Sequence, residues 1–172
     1  PDQGSVSIMN LDCFAQSPKI QEMVGYLPGE IAFMDEMRGI DFIKFIAEMK
    51  KIKDLTRAKE LIDFLELDPT NKIKRMSKGM KQKIGLVIAF MQDCPILILD
   101  EPTSGLDPLM QNKFVELIKR AKAEGKTVLM SSHIFEEIEN TCDRVVMIKD
   151  GKIVASKEMA LLKKDRHKCY EI

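Results

Sequence analysis

Two adjacent carboxylates, Asp100 and Glu101, follow directly on the apolar run Ile96-Leu97-Ile98-Leu99 and are cut off by Pro102. Four consecutive apolar residues suit a strand buried on both faces, as in a parallel sheet. In open α/β sheets, ligands bind at the carboxyl ends of such strands. An acid pair there suits a Mg²⁺-nucleotide site. One carboxylate can hold the metal, usually through water because Mg²⁺ dehydrates reluctantly. The other can orient an attacking water. Taken alone, an Asp-Glu pair more often marks the solvated start of a loop.

The neighbouring residues shift that balance. Ser104-Gly105-Leu106-Asp107 follows at once, and Ser131-Ser132-His133 closes the next apolar run. Upstream, Ser77-Lys78-Gly79 opens a helix. A helix N-terminus with free N–H groups and a hydroxyl attracts anions. A histidine at a strand end can hydrogen-bond a phosphate oxygen. A lone histidine in such a place is more often structural, but His133 falls at the same sheet edge as the carboxylates.

The elements that position these residues are readable from periodicity. Residues 5–9 and 23–27 read as short strands, the second closed by Pro28-Gly29. Phe42, Phe45, Ile46 and Met49 have helical spacing, as do Ala58, Leu61, Ile62 and Leu65, and Asp68-Pro69 ends that pattern. Residues 31–76 therefore form a small helical insert. Ser77 caps a third helix, with Ile84, Val87, Ile88 and Met91 on its apolar face. Asp107-Pro108 starts another, carrying Phe114, Leu117, Ile118 and Ala121 and stopped by Gly125. Thr127–Ser131 reads as a second buried strand and 134–141 as a short helix. Strands over 144–148 and 152–155 flank the hairpin signal Asp150-Gly151, and a last helix is expected over 157–164. Alternating strands and helices define an α/β fold.

With these residues in place, the chain resembles the ATP-binding subunits of ABC transporters. The run from Ile96 to Asp107 resembles the family's Walker B motif and D-loop. Met76-Ser77-Lys78-Gly79-Met80-Lys81-Gln82 resembles its signature motif, and His133 falls at its switch histidine. Val24-Gly25-Tyr26-Leu27-Pro28 matches the strand leading into the Q-loop. The resemblance implies a P-loop NTPase-like parallel sheet core with a small α-helical subdomain. Residues 1–30 and 77–172 would be a partial ATPase core, and 31–76 the coupling subdomain. It implies that Asp100 supports Mg²⁺, that Glu101 acts as general base or water-positioning residue, and that His133 contacts the γ-phosphate. Ser77, Lys78 and Gly79 would bind ATP held by an opposite subunit, with Asp107 at that dimer interface. Such roles are positional and electrostatic.

The chain departs from the pattern in places. No G-x-x-x-x-G-K-[ST] run occurs in these residues. That loop cradles the β- and γ-phosphates. In the family it precedes the region resembling Pro1 to Leu11, so the core is expected to be incomplete, lacking the Walker A strand. Thr127–Ser131 would then present an unpaired apolar edge that invites association. Gly29 and Glu30 stand at the Q-loop position, where glutamine is usual. In the signature motif Lys78 stands where glycine is common and Met80 where glutamine is common, and variants of this kind are similar to the ABC-2, antibiotic-export branch. The implied partners are a transmembrane permease, docking near Phe33, Met34, Met37, Phe42 and Phe45, and a second nucleotide-binding subunit. Core packing is the favoured role for Phe42 and Phe45. The implied location is cytoplasmic, peripheral on the inner face of the cell membrane. A different class also fits: a truncated, non-catalytic chain that offers its signature motif in trans.

Composition narrows the field further. Lys plus Arg and Asp plus Glu each number 27, so net charge is zero, which disfavours bulk binding of nucleic acid. Cys13, Cys94, Cys142 and Cys169 form no C-x-x-C pair, which argues against zinc and a disulfide framework. Cys94 and Cys142 read as small core hydrophobes.

Overall fold

The computed structural model describes residues 3–166; Cys169 lies outside them. The chain divides into two compact units, Pro1–Ser131 and Ser132–Ile172.

The first unit opens on β1 (Ser7–Ile8) and β2 (Leu11–Asp12), paired antiparallel. Met9 and Asn10 between them both have positive φ, 52° and 63°. The strand expected over 5–9 is thus one arm of a tight hairpin, whose two-residue turn takes left-handed backbone. No apolar period announces α1 (Ser17–Met23), a short helix with Pro18 in its first turn and only Ile20 buried. β3 (Val24–Leu27) follows, then α2 (Gly39–Met49), α3 (Thr56–Phe64), a 3-10 turn at Ile73–Arg75, and α4 (Lys78–Met91). β4 (Ile96–Asp100), α5 (Pro108–Ala123) and β5 (Thr127–Ser131) complete the unit.

β3, β4 and β5 form a parallel sheet in that order, with Leu27 level with Leu99 and Asp100 level with Ser131. Helix starts follow the expected caps. Ser77 Oγ accepts from the Met80 N–H at 3.2 Å, and an Asp107 carboxylate oxygen accepts from the Met110 N–H at 3.0 Å.

One core cluster gathers Leu27, Leu86, Val87, Phe90, Leu97 and Leu99 with Phe114 and Ile118, and reaches Phe42, Ile43 and Leu61 of α2 and α3. Each such side chain contributes about 1.5–3 kcal/mol on burial. Phe42 is core as expected; Phe45 is half-buried. Phe33 packs on Phe42 with ring centroids 5.3 Å apart. Met37 packs against the core, whereas Met34 is exposed.

Two expectations of burial need correction. β4 is buried on one face only: Leu97 and Leu99 point into the core, while Ile96 and Ile98 are half-covered. β5 is not a buried strand but, among the described residues, the apolar edge that was also expected for it. Among the described residues it pairs with β4 alone, and Leu129 is 64% exposed. An edge strand has neighbours on one side, so its apolar residues stay half-open.

The second unit contains α6 (Phe135–Thr141), β6 (Arg144–Lys149), β7 (Lys152–Glu158) and α7 (Met159–Arg166). β6 and β7 pair antiparallel around Asp150-Gly151, both at positive φ, as the hairpin signal predicts. β7 runs three residues further than expected, through Glu158, and so delays the final helix. Cys142 is half-buried rather than core; Cys94 is buried. No helix among the described residues is long and apolar enough to cross a membrane.

Candidate functional site

The carboxyl end of β4 delivers the acid pair. Asp100 is the last residue of the strand and lies level with Ser131 of β5. The Ser131 hydroxyl donates to the Asp100 carboxylate and accepts from the Glu101 N–H, the latter at 3.0 Å. One serine therefore braces both acids from the neighbouring strand. Asp100 also faces the turn after β3. A Cβ added at Gly29 would lie 2.8 Å from Asp100 Oδ2. Only glycine fits that approach without a shift.

Beyond Asp100 the backbone turns sharply. Glu101 has φ 46°. Its carbonyl accepts from the Ser104 N–H at 3.0 Å, and the Thr103 carbonyl accepts from the Leu106 N–H at 3.0 Å. Pro102, Thr103 and Leu106 are buried, while Gly105 takes φ 77° on the surface. Gln111 Nε2 donates to the Leu106 carbonyl at 3.1 Å, fixing the loop just before the Asp107 cap.

α4 begins against this loop. A Cβ at Gly79 would lie 2.6 Å from the Gly105 carbonyl oxygen, so the helix start and the loop are in direct backbone contact. Gln82, buried at 6% exposure, donates from Nε2 to the carbonyls of Glu101 and Pro102 at 3.2 and 2.9 Å. Lys78, Lys81 and Gln82 line a cavity of about 370 Å³ with Gly29, Glu30 and Phe33. Lys81 Nζ stands 3.6 Å from an Asp35 carboxylate oxygen.

Of the predicted residues, the first unit thus holds Gly29, Glu30, Ser77, Lys78, Gly79, Asp100, Glu101 and Asp107. His133 belongs to the second unit and is exposed. It is flanked by a local brace: Ser132 Oγ donates to the buried Glu137 carboxylate at 2.6 Å and accepts from the Ile134 N–H at 3.0 Å. Sequence reasoning gave no role to Ser131 or Gln82. Ser131 is signalled only by strand register. Gln82 is a polar residue one helical turn past Gly79, on the inward face of an otherwise apolar helix.

An acid pair at a parallel strand's end, with a glycine-bearing helix start against the following loop, lies where open α/β sheets bind their ligands. A family model described as "AAA domain, putative AbiEii toxin, Type IV TA system" matches residues 34–139. The ABC transporter ATP-binding protein NatA of Bacillus subtilis (strain 168) is 32% identical over 164 residues, covering 90% of this chain and 65% of NatA. The linearmycin resistance ATP-binding protein LnrL of the same organism is 31% identical over 159 residues, covering 90% of this chain and 51% of LnrL. A solved ATP-binding subunit of an ABC transporter superimposes with a TM-score of 0.85 at 26% identity, over 97% of this chain and 72% of that one. The family model covers more than half of the chain, which belongs to that AAA-domain family, and the chain is similar to the ATP-binding proteins of ABC transporters. It spans about half to two thirds of the length of these curated relatives.

Proposed function

We propose that this chain forms part of the ATP-hydrolysing subunit of an ABC exporter. The observation that carries the reading is the braced acid pair: Asp100 and Glu101 at the end of β4, tied by Ser131 and packed against the start of α4. Residues 1–30 and 77–172 act as ATPase core, and 31–76 as the helical part that meets the permease. The similarity to LnrL, a linearmycin resistance ATP-binding protein, and the exposed Met34 support an export system with a membrane partner.

Asp100 fits a metal role: its carboxylate is exposed at the end of β4, is met by a neutral hydroxyl, and offers the oxygen donors that Mg²⁺ takes. Mg²⁺ held there through water would neutralise charge on the β- and γ-phosphates. Glu101 orients the attacking water and takes its proton. His133 hydrogen-bonds the γ-phosphate. Ser77, Lys78 and Gly79 bring a helix N-terminus to the ATP of a second subunit, and Asp107 lies at that interface. Glu30, beside Gly29, stands at the place of the Q-loop glutamine. The protein works on the cytoplasmic face of the membrane.

Steady-state ATP turnover tests this. Glu101→Gln should lower kcat about a hundredfold or more with little change in KM. Undiminished turnover would overturn the assignment.

One observation favours a second reading. No G-x-x-x-x-G-K-[ST] run occurs in the sequence, so a non-catalytic chain that lends Ser77 and Gly79 to an intact subunit is also consistent. In either case the 172-residue chain alone should bind Mg-ATP weakly. Calorimetry showing micromolar binding would contradict that. Stimulation of an intact subunit by this chain, abolished by Ser77→Ala, would favour the second reading.

A further inference from the structure

Glu101 is held in a backbone conformation that side chains disfavour, and part of the hold comes from α4. Among the described residues, the other non-glycine positive-φ positions have local explanations. Met9, Asn10 and Asp150 lie in two-residue hairpin turns, and Lys51, Glu66 and Asp93 each follow a helix C-cap. Left-handed backbone is ordinary at both kinds of place. Glu101 instead directly follows a parallel strand. Strain of this sort persists only where the surroundings over-determine it.

Three hydrogen bonds do so. The Glu101 N–H donates to Ser131 Oγ at 3.0 Å, and the Glu101 carbonyl accepts from the Ser104 N–H at 3.0 Å and from Gln82 Nε2 at 3.2 Å. Ser131 belongs to the adjacent strand and Ser104 to the loop itself. Gln82 belongs to the helix whose start carries Ser77 and Gly79. Its amide also donates to the Pro102 carbonyl at 2.9 Å, and Gly79 meets the Gly105 carbonyl. The opening turns of α4 thus grip the acidic loop at both of its ends.

We propose that Gln82 is a positioning residue for ATP hydrolysis: its amide holds the Glu101 and Pro102 carbonyls, keeps the Glu101 carboxylate aimed at the attacking water, and ties that aim to the anion-facing start of α4. Gln82 acts through Glu101 and touches no reacting atom. The proposal rests on the role given to Glu101 above.

The test is steady-state turnover of Gln82→Met and Gln82→Glu beside Glu101→Gln, in the ATP-hydrolysing protein that carries this chain. Gln82→Met keeps the volume and removes the donors. Its kcat should fall about tenfold, the worth of a buried hydrogen bond or two, with KM unchanged. Gln82→Glu sets a carboxylate against two carbonyl oxygens. At about pH 8 its loss should be larger. Towards about pH 6 the acid, with its pKa raised by burial, regains a donor, so its rate relative to the unsubstituted protein should recover severalfold. A purely structural role would not produce that recovery. If Gln82→Met does not fold, the pH response of Gln82→Glu decides. Normal kcat in both Gln82 variants, or no recovery at low pH, overturns the proposal while loss of turnover in Glu101→Gln leaves the site reading intact. Normal turnover in Glu101→Gln instead sinks the site reading itself.

Discussion

The two ends of α4 both adjoin clusters of charge, and the clusters are built on opposite plans. At its C-terminal end, Asp93 and Glu124 are met by cations. Lys126 contacts both carboxylates, and Arg57 approaches them at 3.1 and 3.6 Å while its Nε donates to the Phe90 carbonyl at 3.0 Å. Asp93 has positive φ, but it closes a helix, where that conformation is common. At the N-terminal end, Asp100 is met by a hydroxyl, and Glu101 is fixed through its backbone. Both clusters flank the same strand, one before β4 and one at its end. Charge that is neutralised by neighbours holds elements together. At Asp100 the bracing group is a neutral hydroxyl, which leaves the carboxylate's charge uncompensated by that contact.

The sharpest way to break this contrast is to disturb the N-terminal end alone. Gly79→Val places a side chain where only 2.6 Å separates a Cβ from the Gly105 carbonyl oxygen. The helix start or the loop must move. Turnover should fall about a hundredfold, since displacements near 1 Å can cost that much. Unchanged turnover would show that the contact between α4 and the loop has no bearing on the chemistry.

The opposite end should respond in stability and not in rate. Lys126 is only 9% exposed in its side chain, but Asp93 and Glu124 are 58% and 47% exposed, so solvent screens much of the attraction. Lys126→Met should cost about 1–2 kcal/mol in urea denaturation and leave turnover unchanged. A drop in kcat with no loss of stability would collapse the distinction between the two ends.

Acid titration sharpens it further. The hydrogen bond from Lys126 holds the Asp93 and Glu124 carboxyls below their ordinary range, with Arg57 adding to the effect. Their pKa values in the folded state lie below those of the unfolded chain. The stability they add is therefore present above the unfolded carboxylate values and is lost as pH falls through the folded ones. The urea midpoint should decline on acidification, and less steeply in Lys126→Met. Parallel declines would mean that other carboxylates dominate.

The smallest expected effect lies at Cys94, between Asp93 and β4. Burial pushes its thiol up, and its Sγ lies 3.7 Å from the Glu22 carbonyl. Iodoacetamide should modify it more slowly than the half-buried Cys13 and Cys142. Equal rates would reveal local opening at this end of the sheet.

Much of this arrangement was legible from residue types. The run Ile96-Leu97-Ile98-Leu99 announced β4, and Ser77 and Asp107-Pro108 announced two helix starts, because caps and apolar period act over a few residues. The acid pair was legible only with its neighbours: Ser104-Gly105-Leu106-Asp107 and the Ser77-Lys78-Gly79 helix start outweighed the reading of a solvated loop. What escaped depends on distant neighbours. The edge position of β5 was expected only from the missing G-x-x-x-x-G-K-[ST] run, because its own apolar residues look the same in a central strand. Ser131 matters because register brings it level with Asp100, and Gln82 because α4 crosses near Pro102. The turn at Met9-Asn10 escaped for a local reason: methionine is not a residue that signals left-handed backbone.

The contorted peptide at Glu101 sets thermodynamic ease against usefulness at a single position. A glycine there would settle into φ 46° without resistance and is the residue that conformation alone favours. It would bring no acid to the rim of the sheet. The fold instead tolerates an awkward residue and surrounds it with a serine, a backbone amide and a glutamine that keep it in place. Robustness and chemical competence therefore pull this one residue in opposite directions.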